Sequence, residues 1–507
     1  MNGNSTTTAL DPSRWTSILS GAISANATVR SGNAVTYLID GSATFTEMVR
    51  VIGTATSAEH YIYLLGWQLV DDFDMTPPAP SQFKDLIAAA SASGVQVRVM
   101  LWKQFKSINK PQVDTINALP TGAAILDNET GSSIFGAHHQ KVLVVKGTDG
   151  LVGFCGGIDI NSDRIPGAPP AQSSGLSGSS GFSGGSDSTD AVIASSSSGG
   201  GGNGSPLHDV HCEIMGPAAI DVLETFVRRW QHHPDSAAID AAKGALLGLS
   251  EAVPASRSTP SSTGRSASVA IARTFTPATP GTTVPKERDI QTLLLTAIAN
   301  AQRFIYMEDQ YLISPECATA LNARIPALQH LTILIAASQI SDLPCKWGYR
   351  KNFIDAVTSG LSAADAAKVR VFHLISPPAA TPPVFGSHTY VHAKTWIFDD
   401  ELAVIGSANC NRRGWQSDSE ANALIWDDPV DSSNPLTFAQ SLRADLWAEH
   451  LGISSSSLTD GVASAGTWLT SSPTSCVAVY DPAADTDSPV LMCGTDFVHD
   501  KIDPSSL

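Results

Sequence analysis

Two short segments of the chain place a histidine two residues ahead of a lysine. His139 and Lys141 form the first pair, and His392 and Lys394 form the second. Each pair stands just before an apolar run typical of a buried strand. Because side chains two apart on a strand point to the same face, each pair presents an imidazole beside an ammonium group. If both pairs meet in one pocket, the pocket is cationic and suits a small anion such as a phosphate ester.

Such a pocket contains the groups that cleave a phosphodiester. A neutral imidazole can attack phosphorus while the opposite imidazolium protonates the departing alkoxide. The product is a covalent phosphohistidine, which water or another alcohol then resolves. Lysine ammonium groups and an asparagine amide can hold the non-bridging oxygens. This chemistry needs no metal, and the sequence predicts neither a metal ligand nor a cofactor.

Histidines in these roles need a carboxylate that fixes the tautomer and stabilises the charged ring. In the second half of the chain the candidate is Glu420, which follows the segment "GSANCNRR". In the first half it is Asp209, which we place just before an amphipathic helix with Leu223 and Trp230 on its apolar face. Each carboxylate is therefore predicted to support the histidine of its own half.

The chain repeats itself internally. Residues 61–70, "YIYLLGWQLV", superpose on 304–313, "FIYMEDQYLI". Residues 138–159 align with 391–409 if the first segment has a turn three residues longer. A repeat of this length indicates two copies of one structural unit.

The longer alignment also matches residues that follow the two strands. Gly157 falls on Ser407, and Asp159 falls on Asn409. We predict that these four residues bind the substrate.

Strands alternate with helical segments in both halves, which predicts an α/β fold of two similar halves facing each other about a pseudo-twofold axis. The helix before the first repeat carries apolar Phe45 and Met48, and Thr44 with Glu47 predicts a capping box at its start. Trp67, His138 and His211 lie near the motifs, but we predict that they pack rather than react.

The predicted organisation has two halves with flanking segments. The predicted boundaries are an extension at 1–33, a first half at 34–235 with a flexible Ser/Gly insertion at 173–205, a linker at 236–268, a second half at 269–452 and a tail at 453–507. The insertion contains 13 serines and 10 glycines in 33 positions, a composition that cannot bury enough surface to fold.

Charge, cysteine spacing and the N-terminal sequence disfavour several classes of protein. The 507 residues carry a formal charge of −17, which disfavours general nucleic-acid binding. The seven cysteines include no CxxC pair, so no zinc knuckle is indicated. The N-terminus lacks a signal-peptide pattern and no run of about 18 apolar residues occurs. We therefore expect a cytoplasmic protein or one exported without a signal peptide.

These segments resemble the two HKD motifs (H-x-K-x4-D followed by G-S or G-G) of the phospholipase D superfamily. "HAKTWIFD" at 392–399 matches in full, and "GSAN" at 406–409 follows it. "GGID" at 156–159, "HDVH" at 208–211 and "EDQY" at 308–311 are similar to family segments. The resemblance runs from about Ala34 to Leu451.

The resemblance implies a bilobal α/β/α enzyme that cleaves phosphodiesters by metal-independent ping-pong chemistry. In the family the N-terminal histidine is taken as the nucleophile, so His139 attacks and His392 donates the proton, although the pseudosymmetry also allows the reverse order. The implied activity is hydrolysis of glycerophospholipids to phosphatidic acid and a head-group alcohol, with transfer to other alcohols. The implied partners are phospholipid at a membrane or micelle surface and an acceptor alcohol or water, with no nucleic acid. A duplicated chain can complete this site as a monomer.

One position departs from the family pattern. The aspartate expected seven residues after His139 is Lys146. The family aspartate is thought to support the turn, and Asp149 could take its place. Three alternatives therefore stay open beside the lipase: a nuclease, a phospholipid synthase, and an inactive lipid-binding homologue.

Overall fold

The described part of the chain contains eighteen strands and twelve α-helices. The computed structural model describes residues 10–23, 27–130, 136–165, 207–255, 265–277, 286–336, 346–375, 389–427, 435–470 and 474–481. The predicted insertion at 173–205 lies outside these residues. The predicted domain boundaries stay a prediction. None of the described helices combines the length and the apolar character that crossing a bilayer requires.

The strands are β1 (Val29–Ile39), β2 (Tyr61–Gly66), β3 (Gln96–Trp102), β4 (Gly122–Asp127), β5 (Val142–Gly147), β6 (Gly150–Gly156), β7 (Leu207–His208), β8 (Val210–Met215), β9 (Arg265–Phe275), β10 (Glu287–Arg288), β11 (Phe304–Asp309), β12 (His330–Ile335), β13 (Val369–Leu374), β14 (Tyr390–Val391), β15 (Lys394–Phe398), β16 (Leu402–Gly406), β17 (Glu420–Asp427) and β18 (Val477–Val479). The α-helices are α1 (Arg14–Ser20), α2 (Asp40–Ile52), α3 (Phe83–Ala92), α4 (Lys106–Ala118), α5 (Ala219–His232), α6 (Ser236–Lys243), α7 (Asp289–Asn300), α8 (Pro315–Arg324), α9 (Lys346–Thr358), α10 (Ala363–Ala366), α11 (Arg412–Gln416) and α12 (Phe438–Leu451). Short 3-10 turns occupy Lys103–Phe105, Ser162–Arg164, Ile325–Ala327, Ser455–Ser457 and Ala463–Leu469.

One 16-stranded sheet runs through both halves and repeats the same strand order about its centre. The first half reads β4-β3-β2-β5-β6-β8-β1, and the second reads β13-β12-β11-β15-β16-β17-β9. The two series meet where β1 and β9 pair antiparallel. In each half three parallel strands are followed by an antiparallel series. The predicted α/β fold with a pseudo-twofold axis is confirmed.

The sheet is covered on both faces. On one face a single core spans the two halves, with α5 and α12 packed on it. On the other face each half has a core of its own, built around α2 and α3 in the first half and around α7 and α8 in the second. Strands buried on both faces carry near-continuous apolar runs, which explains the sequences "YIYLLG" and "HLTILI".

Helix α2 begins earlier than its sequence indicated. It starts at Asp40, four residues before the predicted capping box, and the hydroxyl of Thr44 donates to the Asp40 carbonyl inside the helix. Glu47 accepts from Arg50 on the helix surface instead of capping the start. Asp40 has a left-handed backbone conformation, with φ of 61°. The chain therefore turns sharply from β1 into the helix at this aspartate.

The hairpins that follow the two histidine segments differ in strand length. Strands β5 and β6 have six and seven residues, whereas β15 and β16 have five each. The turn between the strands has two residues in the first hairpin and three in the second. The expectation of a longer first turn is therefore wrong. The extra residues extend the paired strands, where their backbone groups make ladder hydrogen bonds.

Asp399, the aspartate of the fully matching motif, ties its hairpin to the end of helix α7. Its carboxylate accepts hydrogen bonds from the backbone N–H groups of Gln302 (2.7 Å), Arg303 (2.6 Å) and Phe304 (2.9 Å). The guanidinium of Arg14 pairs with it at 2.6 Å. Asp399 is therefore a structural residue of the turn.

The first hairpin is joined to its neighbouring helix without an equivalent aspartate. The N–H of Thr148 donates to the Thr54 carbonyl, which joins the turn to the end of α2. Lys146 lies on strand β5 and pairs with Glu251 at 2.5 Å. Asp149 accepts from Arg50 at the surface and does not replace Asp399.

We expect Asp399→Ala to lower the free energy of unfolding by about 1–3 kcal/mol, because it removes the acceptor of three backbone N–H groups and one of the two carboxylates that pair with Arg14. The matched control is Asp149→Ala in the other hairpin, where the half-exposed ion pair is worth about 0–1 kcal/mol. Urea unfolding of the two variants measures the difference. Equal losses would contradict the assigned role of Asp399.

Candidate functional site

The two predicted histidines lie at the start of equivalent strands, just before the sheet ladder begins. Each is held by backbone bonds to the opposite half of the chain. The N–H of His139 donates to the Ser419 carbonyl at 3.0 Å, and the N–H of His392 donates to the His208 carbonyl at 2.8 Å. Both rings are almost fully buried, with 8% and 5% of their residue surface exposed.

The carboxylates support the histidines across the two halves. Nδ1 of His139 lies 2.9 Å from Oε1 of Glu420, and Nδ1 of His392 lies 2.6 Å from Oδ2 of Asp209. The prediction of pairing within each half is wrong, because each histidine segment pairs by its backbone with the other half. We call His139–Glu420 and His392–Asp209 the crossed pairs. In both pairs Nδ1 is engaged, which leaves Nε2 as the atom able to meet a substrate.

Asp209 also occupies a different place from the one expected. It lies between β7 and β8, so a complete strand separates it from helix α5. The carboxylate fits there because residue 157 is glycine: a Cβ on Gly157 would lie 2.1 Å from an Asp209 oxygen. Gly157, predicted to bind substrate, therefore makes room for a supporting carboxylate.

The two lysines fold back on their own segments in the same way. Nζ of Lys141 donates to the His139 carbonyl at 3.0 Å, and Nζ of Lys394 donates to the His392 carbonyl. Their other partners differ, as Lys141 pairs with Asp159 at 3.1 Å while Lys394 donates to the amide oxygen of Gln310 at 2.8 Å. Asp159 also accepts from the backbone N–H of Trp67.

Burial and mutual repulsion set the protonation of these groups. Burial lowers the pKa of His139 well below its ordinary value, and the charges of Lys141 and Lys394 act in the same direction. The pKa of His392 is also lowered well below its ordinary value, by burial first and by Lys394 next. Burial lowers the pKa of Lys394 to about 7. The charges of each histidine–lysine pair therefore act on the other pair, and burial favours the neutral form of both rings.

Ser407 and Glu420 form one unit. The hydroxyl of Ser407 donates to Oε2 of Glu420 at 2.5 Å and accepts from the N–H of Ala421 at 3.0 Å. Burial raises the pKa of Glu420 well above its ordinary value, and the nearby Asp418 adds to this. Ser407, predicted to bind substrate, therefore contacts the carboxylate that supports His139.

Of the four residues predicted to bind substrate, Asn409 has a side chain that is free to do so. Its amide oxygen is buried and has no hydrogen-bond partner. At the equivalent place in the first half, Asp159 is already engaged with Lys141. The equivalent positions therefore differ, with an unpaired amide oxygen in the second half and a lysine–carboxylate pair in the first.

His138 and His211 have structural contacts. Nδ1 of His138 lies 2.6 Å from Asp127, on the opposite side of the chain from His139. Nδ1 of His211 accepts from the N–H of Ile158 at 3.3 Å, and burial lowers the pKa of His211 to about 3. Both rings are buried among protein groups.

Two residues beside the motif side chains, Trp67 and Gln310, have a larger part in the site than their sequence context indicated. Trp67 was expected to pack, yet its indole lies edge-on to the His139 ring at 5.7 Å and 5.6 Å from the Lys141 ammonium. Gln310 occupies the matching position in the repeat and binds Lys394. The internal alignment of Trp67 with Gln310 was the signal that both belong to the site.

Arg164 was missed, because it follows the motif without matching any repeat. It is 2% exposed, and its Nε and Nη1 atoms make no hydrogen bond. Its charge contributes to the lowered pKa of His392. Arg164 therefore adds a cationic group to the surroundings of the site, beside Lys141 and Lys394.

The crossed pairs make a specific spectroscopic prediction. Asp209→Asn should change the tautomer balance and the ring ¹⁵N shifts of His392, while leaving His139 unchanged, because the lost acceptor faces only His392. Glu420→Gln should do the reverse. Selective ¹⁵N-histidine NMR, with His139→Gln and His392→Gln for assignment, measures both effects. A response of His139 to Asp209→Asn would contradict the crossed arrangement.

Comparison with known proteins adds independent information. A family model described as "Phospholipase D" matches residues 54–342. A second, described as "Cardiolipin synthase, PLD-like domain", matches residues 294–445. The first match covers more than half of the chain, and the second lies mostly in the second half of the repeat.

Related proteins and a solved structure agree with this result. Phospholipase D zeta 2 of Arabidopsis thaliana is 24% identical over 83% of this chain and 54% of its own length, and phospholipase D alpha 2 of Oryza sativa subsp. japonica is 23% identical over 80% and 63%. The chain thus spans about half to two thirds of the length of these relatives. The phosphatidylserine synthase of Haemophilus influenzae Rd KW20 has the same fold, with a TM-score of 0.51 and 14% identity over 89% of both chains. On the evidence of the family model and the relatives, the chain belongs to the phospholipase D family.

Proposed function

We propose that this protein is a phospholipase D that hydrolyses the head-group phosphodiester of glycerophospholipids and transfers the phosphatidyl group to alcohols. The observation that carries the proposal is the burial of the two crossed pairs and two lysines in one site. That set contains a nucleophile, a proton donor and charge stabilisation for a phosphoryl centre. The relatives named phospholipase D support a phospholipid as the substrate.

The reaction would proceed in two steps. Nε2 of one histidine attacks phosphorus, the P–O bond to the head group breaks, and the second histidine gives its proton to the departing alkoxide. The second histidine, now neutral, then takes a proton from water or an alcohol, whose oxygen attacks the phosphohistidine and releases the first ring. Lys141, Lys394 and the Asn409 amide would hold the non-bridging oxygens during both steps.

The contacts of the two rings favour His139 as the nucleophile. A proton donor must be stable as an imidazolium, and the 2.6 Å contact between His392 and Asp209 has the length of a charge-assisted hydrogen bond. Glu420, the partner of His139, has a raised pKa and so favours a neutral ring beside it. An anionic phosphodiester next to His392 offsets the lysine charges and raises the pKa of that ring for its role as acid.

The surroundings of Lys146 argue against an inactive homologue. Lys146 extends from β5 to Glu251, and the turn beyond it is held by Thr148 and Thr54. The substitution therefore removes no group from the proposed site. Both histidines, both lysines and both supporting carboxylates are present.

A phospholipid synthase is the second candidate. The match of residues 294–445 to the cardiolipin synthase model favours it. A synthase would use the same covalent chemistry with a different acceptor. The acceptor is therefore the property that separates the two functions.

We expect the purified protein to release choline from phosphatidylcholine vesicles and to form phosphatidylethanol when ethanol is present, with a chelator in the assay. His139→Ala and His392→Ala should each lower both rates by roughly 10²–10⁴-fold, because each removes a group that moves a proton or forms the covalent bond. Head-group release and lipid products are measured by mass spectrometry.

The matched control is His60→Ala, since His60 lies in the turn before β2 and only accepts from the N–H of Thr56. Its rates should equal those of the native protein. Intact phosphatidylcholine with the native protein would overturn the proposal. Products formed only with serine or phosphatidylglycerol as acceptor would favour the synthase.

The lowered pKa of Lys394 predicts the alkaline limit of activity. Lys394 is charged below its pKa of about 7 and neutral above it, so kcat/KM should fall as the pH rises through about 7. Lys394→Arg should move this limit upward by at least about one pH unit, because a guanidinium stays protonated. The control is Lys351→Arg, a half-exposed residue that pairs with Asp355. An alkaline limit that is the same in all three proteins would show that another group sets it.

A further inference from the structure

A second cluster of titratable side chains lies beside the proposed active site and has no part in its chemistry. Nδ1 of His208 faces two carboxylates, at 3.1 Å from Asp40 and 3.6 Å from Glu449. Nε2 of the same ring lies 2.8 Å from Glu308, which also accepts from Nε2 of His450 at 3.0 Å. The cluster joins both halves of the chain.

The charges of this cluster do not balance. It contains three carboxylates and two imidazoles, so even with both rings protonated its net charge would be −1. In the part of the chain that the structure describes, no lysine or arginine pairs with Asp40, Glu308 or Glu449. Carboxylates gathered at a largely buried place without a cation are unfavourable.

The imidazole of His208 is oriented as a metal ligand would be. The ring is buried, with 1% of its side chain exposed. Nδ1 faces the Asp40 and Glu449 carboxylates at ion-pair distance but outside hydrogen-bonding geometry. The other nitrogen is held by Glu308, and a carboxylate on the far nitrogen is the usual support of a histidine that binds metal.

The site is also open to solvent on one side. The side chains of Asp40 and Glu449 are 21% and 43% exposed, respectively, so an ion can reach the space between them. Two partly exposed carboxylates beside a buried ring nitrogen are the kind of ligand set that a cation site near a protein surface needs.

We propose that Asp40, His208 and Glu449 bind a divalent transition-metal cation of the Zn²⁺ or Mn²⁺ type. One imidazole nitrogen and two carboxylate oxygens suit these ions, whereas Ca²⁺ and Mg²⁺ prefer oxygen ligands alone. Water would complete the coordination on the exposed side. The ion supplies the positive charge that the cluster lacks.

The bound ion would act as a positioning group for the active site. The N–H of Asp40 donates to the Asp209 carbonyl at 2.9 Å, and the N–H of Asp209 donates to Oδ1 of Asp40 at 3.0 Å. The carbonyl of His208 accepts from the N–H of His392. Fixing Asp40 and His208 therefore fixes one crossed pair. The ion takes no part in the proposed phosphoryl transfer.

The test uses the untagged full-length chain after treatment with a chelator. Isothermal titration with Zn²⁺ and with Mn²⁺ should show about one site, and either ion should raise the melting temperature. Asp40→Asn and Glu449→Gln should each weaken binding by at least about tenfold and reduce the shift in melting temperature. Asparagine keeps the left-handed backbone and the oxygen that Asp209 uses.

The matched control is Glu224→Gln on α5, whose side chain is 44% exposed and which should bind the ion as the native chain does. If Asp40→Asn fails to fold, Glu449→Gln decides alone, because this side chain is nearly half exposed. Absence of Zn²⁺ and Mn²⁺ binding, unchanged affinity in the folded variants, or tighter binding of Ca²⁺ or Mg²⁺ would each overturn the proposal. The titration contains no lipid, so its result is independent of the proposed lipase activity.

Discussion

The active site depends on one constraint: each reactive imidazole takes its carboxylate from the other half of the chain. His139 needs Glu420, and His392 needs Asp209. Each half has the full strand pattern, but its motif histidine pairs with a carboxylate of the other half. The antiparallel contact of β1 with β9 holds the two halves in one sheet and so keeps both pairs together. A shift between the halves would remove both supports at once, so the site requires the whole repeat.

Within this symmetric frame the side chains have diverged, so the two rings have different surroundings. Gly157 leaves space for the Asp209 carboxylate, whereas Ser407 at the equivalent place donates to Glu420. The hydroxyl stabilises the charged form of a carboxylate whose pKa burial and Asp418 raise. In the proposed reaction, these unequal carboxylates would favour His392 as the proton donor and His139 as the nucleophile.

The sequence predicted the internal repeat and the α/β class of the fold, because periodicity and spacing are local properties. It predicted the carboxylate partners wrongly. Glu420 stands closer in sequence to His392 than to His139, and nothing in the spacing shows that Ser419 and His208 pair with the opposite histidine segment. These contacts form only when the two halves join in one sheet. The sequence around each histidine does not show which distant segment will pair with it.

Lys146 stands where the family motif has an aspartate. The packing of the hairpin explains why this replacement is tolerated. The Asp399 carboxylate accepts hydrogen bonds from three backbone N–H groups just after the end of a helix. In the first half a direct backbone bond from Thr148 to Thr54 joins hairpin and helix. A motif residue that serves the backbone can be replaced wherever the backbone finds another partner.

The protein as a whole is acidic, whereas the site contains two lysines. The partners of these lysines determine how much positive charge the site presents. A chain with a formal charge of −17 would repel an anionic substrate unless cations were concentrated locally. Lys141 forms an ion pair with Asp159, which offsets much of the positive charge of its ammonium group. Lys394 faces the neutral amide of Gln310, and burial brings its pKa to about 7. In the proposed reaction a phosphate would gain more from Lys394, because among the described residues no carboxylate lies within ion-pair distance of its ammonium. Burial, rather than a neighbouring acid, therefore sets the pH at which this ammonium loses its proton.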